Sequence, residues 1–268
     1  MNRRLRRREF LMAGISALAV SCVGWVAANL RREEAVPPTP SGVAPSVAQT
    51  QRAAFPEPTA FRPAATLPQP APVLLNSPTC TAAAQSPILR ADWGAREPAV
   101  YPGGGGENGP YSVENPNGWL VYDRPIAEVY HTIVVHHSAL PLSDGPKEIQ
   151  TLHMDDKGFA DVGYHYLIDE TGRLYQGRAI AVRGAHTYAH NFGAVGICVI
   201  GNFELIQPTQ AQIEMLQGLI ACLVSGLPNV TRLAGHRDLN PDVTLCPGAN
   251  LAPFLPEIAA QFGLQFGA

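Results

Sequence analysis

One turn-rich stretch, "GHRDLNPDVTLCPG" (235–248), carries an imidazole and a thiol ten residues apart, at His236 and Cys246. Taken alone, a surface histidine and a small buried cysteine would account for both residues. A second stretch, "VVHHSA", offers two more imidazoles at His136 and His137. Two imidazoles and a thiolate suit zinc, and three protein ligands leave a fourth position for water, as in catalytic zinc sites. These residue types indicate such a site if the fold brings the two stretches together.

The strand patterns place these residues at strand ends. "HTIVVHH" (131–137) is a β-branched run typical of a buried strand, and "VTRLAGH" (230–236) is a later strand that ends at its histidine. Between them, "YHYLID" and "RLYQGR" flank "ETG" as a hairpin, and "AVGICVIGNF" suits a central strand. Sites in α/β sheets are built at strand ends. We therefore expect one histidine of each strand and Cys246 to converge.

Helical patterns alternate with these strands. "GPKEIQTLHMDDKG" places Ile149, Leu152 and His153 on one helical face. "PTQAQIEMLQGLIACLVSGL" is amphipathic and begins with a capping box at Thr209 and Gln212, and "PFLPEIAAQFG" predicts a short closing helix. The alternation predicts an α/β fold, with a central mixed β-sheet flanked by helices in a single domain.

The first part of the chain differs in composition from the rest. A run of arginines precedes an apolar stretch in residues 1–30, and "RREFL" (7–11) resembles the twin-arginine export motif. We interpret residues 1–30 as an export signal or, since ~20 apolar residues can span a bilayer, a membrane anchor. Residues 31–86 are rich in proline and alanine and predict a disordered, extended linker. The folded domain is expected at 87–268.

The net charge limits the kinds of binding partner, and the export signal limits the location of the protein. The formal net charge is −3, and the arginines of the export signal make the remaining chain more acidic still. An acidic body gives no electrostatic case for nucleic acid as a partner. Export from a bacterial cytoplasm implies a periplasmic, cell-wall-associated, secreted or membrane-anchored protein.

Several motifs, in order, resemble the peptidoglycan recognition protein family, the type 2 zinc amidases that include phage amidase-type lysozymes. They are "LRADWGAR", "IVVHHSA", "LHMDDKGFADVGYHYLID", "GRLYQGR", "GAHTYAHNFGAVGICVIGNF" and "AGHRDLNPDVTLCPG". The similarity covers residues 87–262, with a longer glycine-rich excursion at 97–130. It implies one Zn²⁺ per domain and hydrolysis of the amide between N-acetylmuramic acid and L-alanine of peptidoglycan.

The resemblance also implies individual roles. His136, His236 and Cys246 match the family's zinc ligands, Tyr164 matches the catalytic partner beside the metal, and Thr244 matches a position that helps to hold the reacting carbonyl's charge. Members without this cysteine bind peptidoglycan without cutting it, so the complete set favours an active amidase. A non-catalytic peptidoglycan receptor or wall tether and a stem-peptide peptidase are the alternatives. The loop before the cysteine is longer than usual in the family.

Four further positions match substrate-binding positions of relatives. They are His186, Asn191, Arg178 and Phe159. A structural role is the alternative for His186, and a solvated surface position is the alternative for Asn191 and Arg178. Phe159 and the preceding glycine stand where relatives distinguish diaminopimelate from lysine stem peptides. With a bacterial export signal, we expect diaminopimelate peptides, bound as muramyl peptides of the wall.

We expect the cysteines of the chain to have different roles. Animal relatives pair cysteines at the positions of Cys80 and Cys222, so the resemblance implies a disulfide there, which an exported domain permits. Cys198 lies in the middle of a predicted strand and is expected to be a small core residue. Cys22 falls within the export signal.

Overall fold

The structure, a computed structural model, describes residue 84 and residues 86–268, which contain one six-stranded sheet. The strands are β1 (Thr132–His137), β2 (Tyr166–Ile168), β3 (Leu174–Gln176), β4 (Ala194–Val199), β5 (Arg232–Gly235) and β6 (Gln265–Phe266). Their order across the sheet is β3-β2-β4-β1-β5-β6, with β2 and β3 antiparallel and the other neighbours parallel. The predicted α/β fold with a central mixed sheet is confirmed.

The helices lie before, between and after these strands along the chain. They are a 3₁₀ turn (Gly106–Asn108), α1 (Ile126–Val129), α2 (Pro146–Thr151), a π-helical turn (Leu152–Asp156), α3 (Gln210–Gly226), α4 (His236–Leu239) and α5 (Phe254–Gln261). α3 begins with the predicted capping box. The Gln212 N–H donates to Thr209 Oγ1 over 3.1 Å, and the Thr209 N–H donates to Gln212 Oε1 over 3.0 Å. The helix predicted around Ile149 changes from α to π geometry at Leu152.

Different helices cover the two faces of the sheet. Ile133 and Val135 of β1 belong to the larger core, together with buried residues of α3 and α5. On the other face, Cys198 of β4 packs in a smaller core with Ile149 of α2 and Tyr164. His136 is the register partner of Cys198, and neighbours in a parallel pair share a face. His136 is therefore directed to the smaller core.

Some predicted segments lie outside the described residues, namely the export signal or anchor at 1–30 and the linker up to residue 83. Among the residues that the structure describes, no helix is both long and apolar enough to cross a membrane. The sequence patterns missed β6, α1 and α4, since elements of two to four residues are too short to show a period.

Candidate metal centre

Three side chains place metal-binding atoms close together. The donor atoms of His136, His236 and Cys246 all lie within 4.8 Å of one another. Cys246 Sγ lies 3.6 Å from His136 Nδ1, and the two imidazole centroids are 4.7 Å apart. Zinc bonds of ~2.0–2.3 Å in a tetrahedron place ligand atoms roughly 3.3–3.8 Å apart. The Cys246 Sγ–His136 Nδ1 distance falls within this range, and two nitrogens with one sulfur are a donor set that suits zinc and leaves one position for water.

Strand pairing explains why the two histidines meet. β1 and β5 are parallel neighbours, and their register pairs Val135 with Gly235. His136 follows Val135 within β1, and His236 directly follows the end of β5, so the two histidines lie side by side at the same end of the sheet. His236 then becomes the first residue of α4. The expected convergence at a carboxyl end of the sheet is therefore present.

Hydrogen bonds fix Cys246 despite the longer loop. The Arg237 N–H donates to the Cys246 carbonyl over 2.7 Å, which closes the loop directly beside His236. The Cys246 N–H donates to Thr244 Oγ1 over 3.1 Å, and the His137 N–H donates to Cys246 Sγ over 3.3 Å. The additional loop length is absorbed in exposed residues such as Val243.

Burial makes the site electrically neutral before a cation binds. Burial lowers the pKa of His136 well below its usual value, and the neighbouring histidines lower it further. Burial also lowers the pKa of His236 to about 4, partly offset by the Asn240 side chain. Burial raises the pKa of the Cys246 thiol to about 12, against the effect of the His137 N–H. Neutral imidazoles are ready ligands, whereas a thiolate here requires a cation to compensate its charge.

Tyr164 and Thr244, which both carry hydroxyl groups, each lie beside one of the donor residues. The Tyr164 ring is buried, and its centroid lies 5.1 Å from that of His136. Burial raises the pKa of Tyr164 well above its usual value, so its hydroxyl stays protonated. The half-buried Thr244 accepts the Cys246 N–H, which leaves its own hydroxyl proton free to donate. Tyr164 therefore lies beside His136, and Thr244 lies beside Cys246.

One of the predicted substrate-binding residues contacts the centre directly, and two others are connected to it through intervening residues. His186 is buried, and its Nδ1 lies 3.0 Å from His136 Nε2, so it contacts a metal-ligand candidate directly. Asn191 Oδ1 accepts the backbone N–H groups of His186 and Thr187, each over 2.8 Å. The half-buried Phe159 packs its ring 5.3 Å from that of His153, which lies 5.2 Å from the Tyr164 ring.

Arg178 does not line a groove as the resemblance implied. It is 1% exposed, and its guanidinium forms a bidentate ion pair with Glu107 at 2.9 and 3.1 Å. It also donates to the Val162 and Arg183 carbonyls and lies 4.8 Å above the Trp119 ring. With its donors taken inside the protein, Arg178 holds the glycine-rich excursion against the domain. No local pattern signals this pair, since Glu107 is 71 residues away.

Loss of this buried pair should destabilise the domain. Arg178→Met leaves the Glu107 carboxylate without its partner, and removing one member of a buried pair costs ~3–5 kcal/mol. Because the Glu107 side chain is 16% exposed, water can replace part of the lost contact, and we expect the lower end of that range. Glu107→Gln keeps one acceptor but leaves the more deeply buried Arg178 cation without its counter-charge, so we expect a loss of similar size. Urea unfolding of the three proteins tests this, and equal midpoints would contradict the structural role.

The structure describes Cys198 and Cys222, and the state of each agrees with the prediction. Cys198 is free and buried in β4, as predicted for a core residue. Cys222 of α3 is disulfide-bonded. Its predicted partner, Cys80, lies outside the described residues, so the pairing itself stays a prediction.

Comparison with known proteins decides the family. A family model described as N-acetylmuramoyl-L-alanine amidase matches residues 126–249. Peptidoglycan-recognition protein SD of Drosophila simulans is 32% identical over 172 residues, which cover 61% of this chain and 81% of that protein. The chain belongs to the peptidoglycan recognition protein and amidase family. The match to the amidase model spans β1 to β5 and all three metal-ligand candidates.

Two further relatives of this family show the extent of the similarity. Peptidoglycan-recognition protein SC2 of D. simulans is 41% identical over 107 residues, 39% of this chain, and the match spans only 57% of that relative's length. A point mutant of Drosophila PGRP-LB, solved in complex with tracheal cytotoxin, matches with a TM-score of 0.51 and 26% identity. That match covers 66% of this chain and 95% of the solved chain. The sequence resemblance and the observed fold therefore agree.

Proposed function

We propose that this protein is a zinc-dependent N-acetylmuramoyl-L-alanine amidase. The observation that carries the proposal is the meeting of His136, His236 and Cys246 donor atoms within 4.8 Å. The family includes proteins named as amidases and others named as recognition proteins, and a complete set of three donors supports the catalytic assignment. The proposed substrate is peptidoglycan, in keeping with the tracheal cytotoxin complex of the PGRP-LB mutant.

The residues of the site divide the chemistry between them. Bound zinc would lower the pKa of its water to ~7 and polarise the scissile carbonyl. His136, His236 and Cys246 would hold the ion and leave one position open to solvent. The protonated Tyr164 hydroxyl and the Thr244 hydroxyl can donate hydrogen bonds to negative charge that develops on the carbonyl oxygen. His136 and Tyr164 are buried, and a poorly solvated surrounding would strengthen these interactions.

We also propose that the domain acts outside the cytoplasm. The twin-arginine-like motif and the apolar stretch within residues 1–30 support export or membrane anchoring. The proline- and alanine-rich residues 31–86 would then act as a spacer that carries the catalytic domain towards the wall. Diaminopimelate stem peptides are the proposed natural substrates.

The deciding experiment is digestion of purified peptidoglycan by the full chain of known metal content. We expect free stem peptides that begin with L-alanine, identified by mass spectrometry, lost on chelation and restored by zinc. Zinc binding without any product would instead support a receptor or wall tether. Products cut within the stem peptide would indicate a peptidase. Parallel digestion of lysine-type and diaminopimelate-type walls tests the proposed preference.

A further inference from the structure

We infer that His186 is a positioning residue that fixes which ring nitrogen of His136 faces the metal-binding site. His186 was expected to bind substrate, but it is buried and both of its ring nitrogens contact other protein groups. The consequence for zinc rests on the proposed function. The consequence for the His136 ring does not, because it follows from hydrogen bonds within the protein.

The first step is the proton on His186 Nε2. This nitrogen lies 3.3 Å from the carbonyl oxygen of Ala194. A carbonyl oxygen can only accept a hydrogen bond, so Nε2 must be the donor and carries the proton. A doubly protonated, cationic His186 would need a buried counter-charge. The ion pairs found in the described part of the chain include none to this residue.

The second step assigns the proton on His136 from that on His186. A neutral His186 with its proton on Nε2 presents a bare Nδ1, which lies 3.0 Å from His136 Nε2. Two bare nitrogens would repel at this distance, so His136 must donate from Nε2. The buried Thr187 hydroxyl lies 2.9 Å from His186 Nδ1 and 3.3 Å from His136 Nε2. It can accept a hydrogen bond from His136 Nε2, which is compatible with the same arrangement.

The third step sets the metal-facing atom. With its proton on Nε2, His136 has its lone pair on Nδ1, the atom that lies 3.6 Å from Cys246 Sγ. The opposite tautomer would direct an N–H at the place where a cation must bind. Metal-binding histidines depend on such outer hydrogen bonds, and losing one costs ~10–100-fold in metal affinity. The Ala194 carbonyl thus determines, through His186, which ring nitrogen of His136 carries the proton.

The His186 ring is held rigidly enough for this role. A methyl group added at Gly184 or at Gly196 of β4 would collide with the ring, so these two glycines form the cradle in which it lies. Asn191 fixes the backbone on either side by accepting the N–H groups of His186 and Thr187. Both ring nitrogens are occupied by protein groups, so the ring is oriented from within the protein.

The test compares two replacements of similar shape, His186→Leu and His186→Asn, with the unmodified full chain. Asparagine keeps an acceptor near the position of Nδ1, and leucine removes it. Two-bond ¹H–¹⁵N correlations of metal-free, ¹⁵N-histidine-labelled protein identify the protonated nitrogen of His136. Zinc affinity is measured by competition with a chromogenic chelator. Circular dichroism verifies that each variant is folded.

We expect His136 to carry its proton on Nε2 in the unmodified protein and in His186→Asn, and to lose this preference in His186→Leu. Zinc affinity should fall ~10–100-fold in His186→Leu and recover most of that loss in His186→Asn. A proton on His136 Nδ1 in the unmodified protein, or equal zinc affinity in all three, overturns the inference. If the unmodified protein binds no zinc, the proposed function fails, and the His136 tautomer still decides the inference. If His186→Leu does not fold, the other two proteins decide it.

Discussion

Replacement of Cys246 by alanine is expected to abolish zinc binding and amide hydrolysis while leaving the domain folded. The thiol is one of three donors, and losing a direct ligand should exceed the ~10–100-fold loss of affinity caused by removing an outer partner. Folding should survive because the bonds that close the loop, from Arg237 to the Cys246 carbonyl and from the Cys246 N–H to Thr244, use backbone atoms of Cys246. Metal content by mass spectrometry and stem-peptide release are the measurements.

Cys198→Ala is the matched control for this prediction. Cys198 is the register partner of His136 in β4 and is fully buried, yet it is not one of the donors gathered at the centre. Its replacement creates a small cavity and should lower the free energy of unfolding without loss of zinc. Zinc retained by Cys246→Ala, or lost in Cys198→Ala, would contradict the proposed ligand set.

Replacement of Tyr164 by phenylalanine is expected to lower kcat by ~10²–10³ with zinc affinity unchanged. One preorganised donor to a developing oxyanion contributes an effect of this size. The ring remains to pack beside His136, since only the hydroxyl is removed. Because burial raises the pKa of Tyr164, the hydroxyl is protonated at neutral pH and available to donate. Steady-state kinetics on a defined muropeptide, with a zinc titration of the same preparation, make the measurement.

Tyr175→Phe serves as the control for loss of a tyrosine hydroxyl in the same core. Tyr175 packs in the smaller core with Tyr164, but its hydroxyl donates to the Asp169 carboxylate over 2.7 Å. Its loss should cost ~1 kcal/mol of stability, or somewhat more because the acceptor is charged, and leave kcat near that of the unmodified protein. Full activity of Tyr164→Phe would remove Tyr164 from the chemistry. An equal loss in both variants would point to a general effect of packing.

Local patterns along the chain were enough to predict the main elements and the family. The β-branched run before His136 predicts β1, the hairpin pattern predicts β2 and β3, and the capping box at Thr209 predicts the start of α3. These signals are strong because each depends on neighbours within a few residues. The ordered motifs were specific enough to indicate the family and the candidates for zinc binding.

The partners of the buried polar side chains, in contrast, became known from the folded chain alone. Arg178 and His186 both matched substrate-binding positions, but one is buried in an ion pair with Glu107 and the other is bonded to His136. These partners are 71 and 50 residues away, respectively. A residue type and its local pattern carry no information about which distant group will satisfy a buried hydrogen bond. That choice follows from the packing of the whole sheet, because every polar group removed from water must find a partner there.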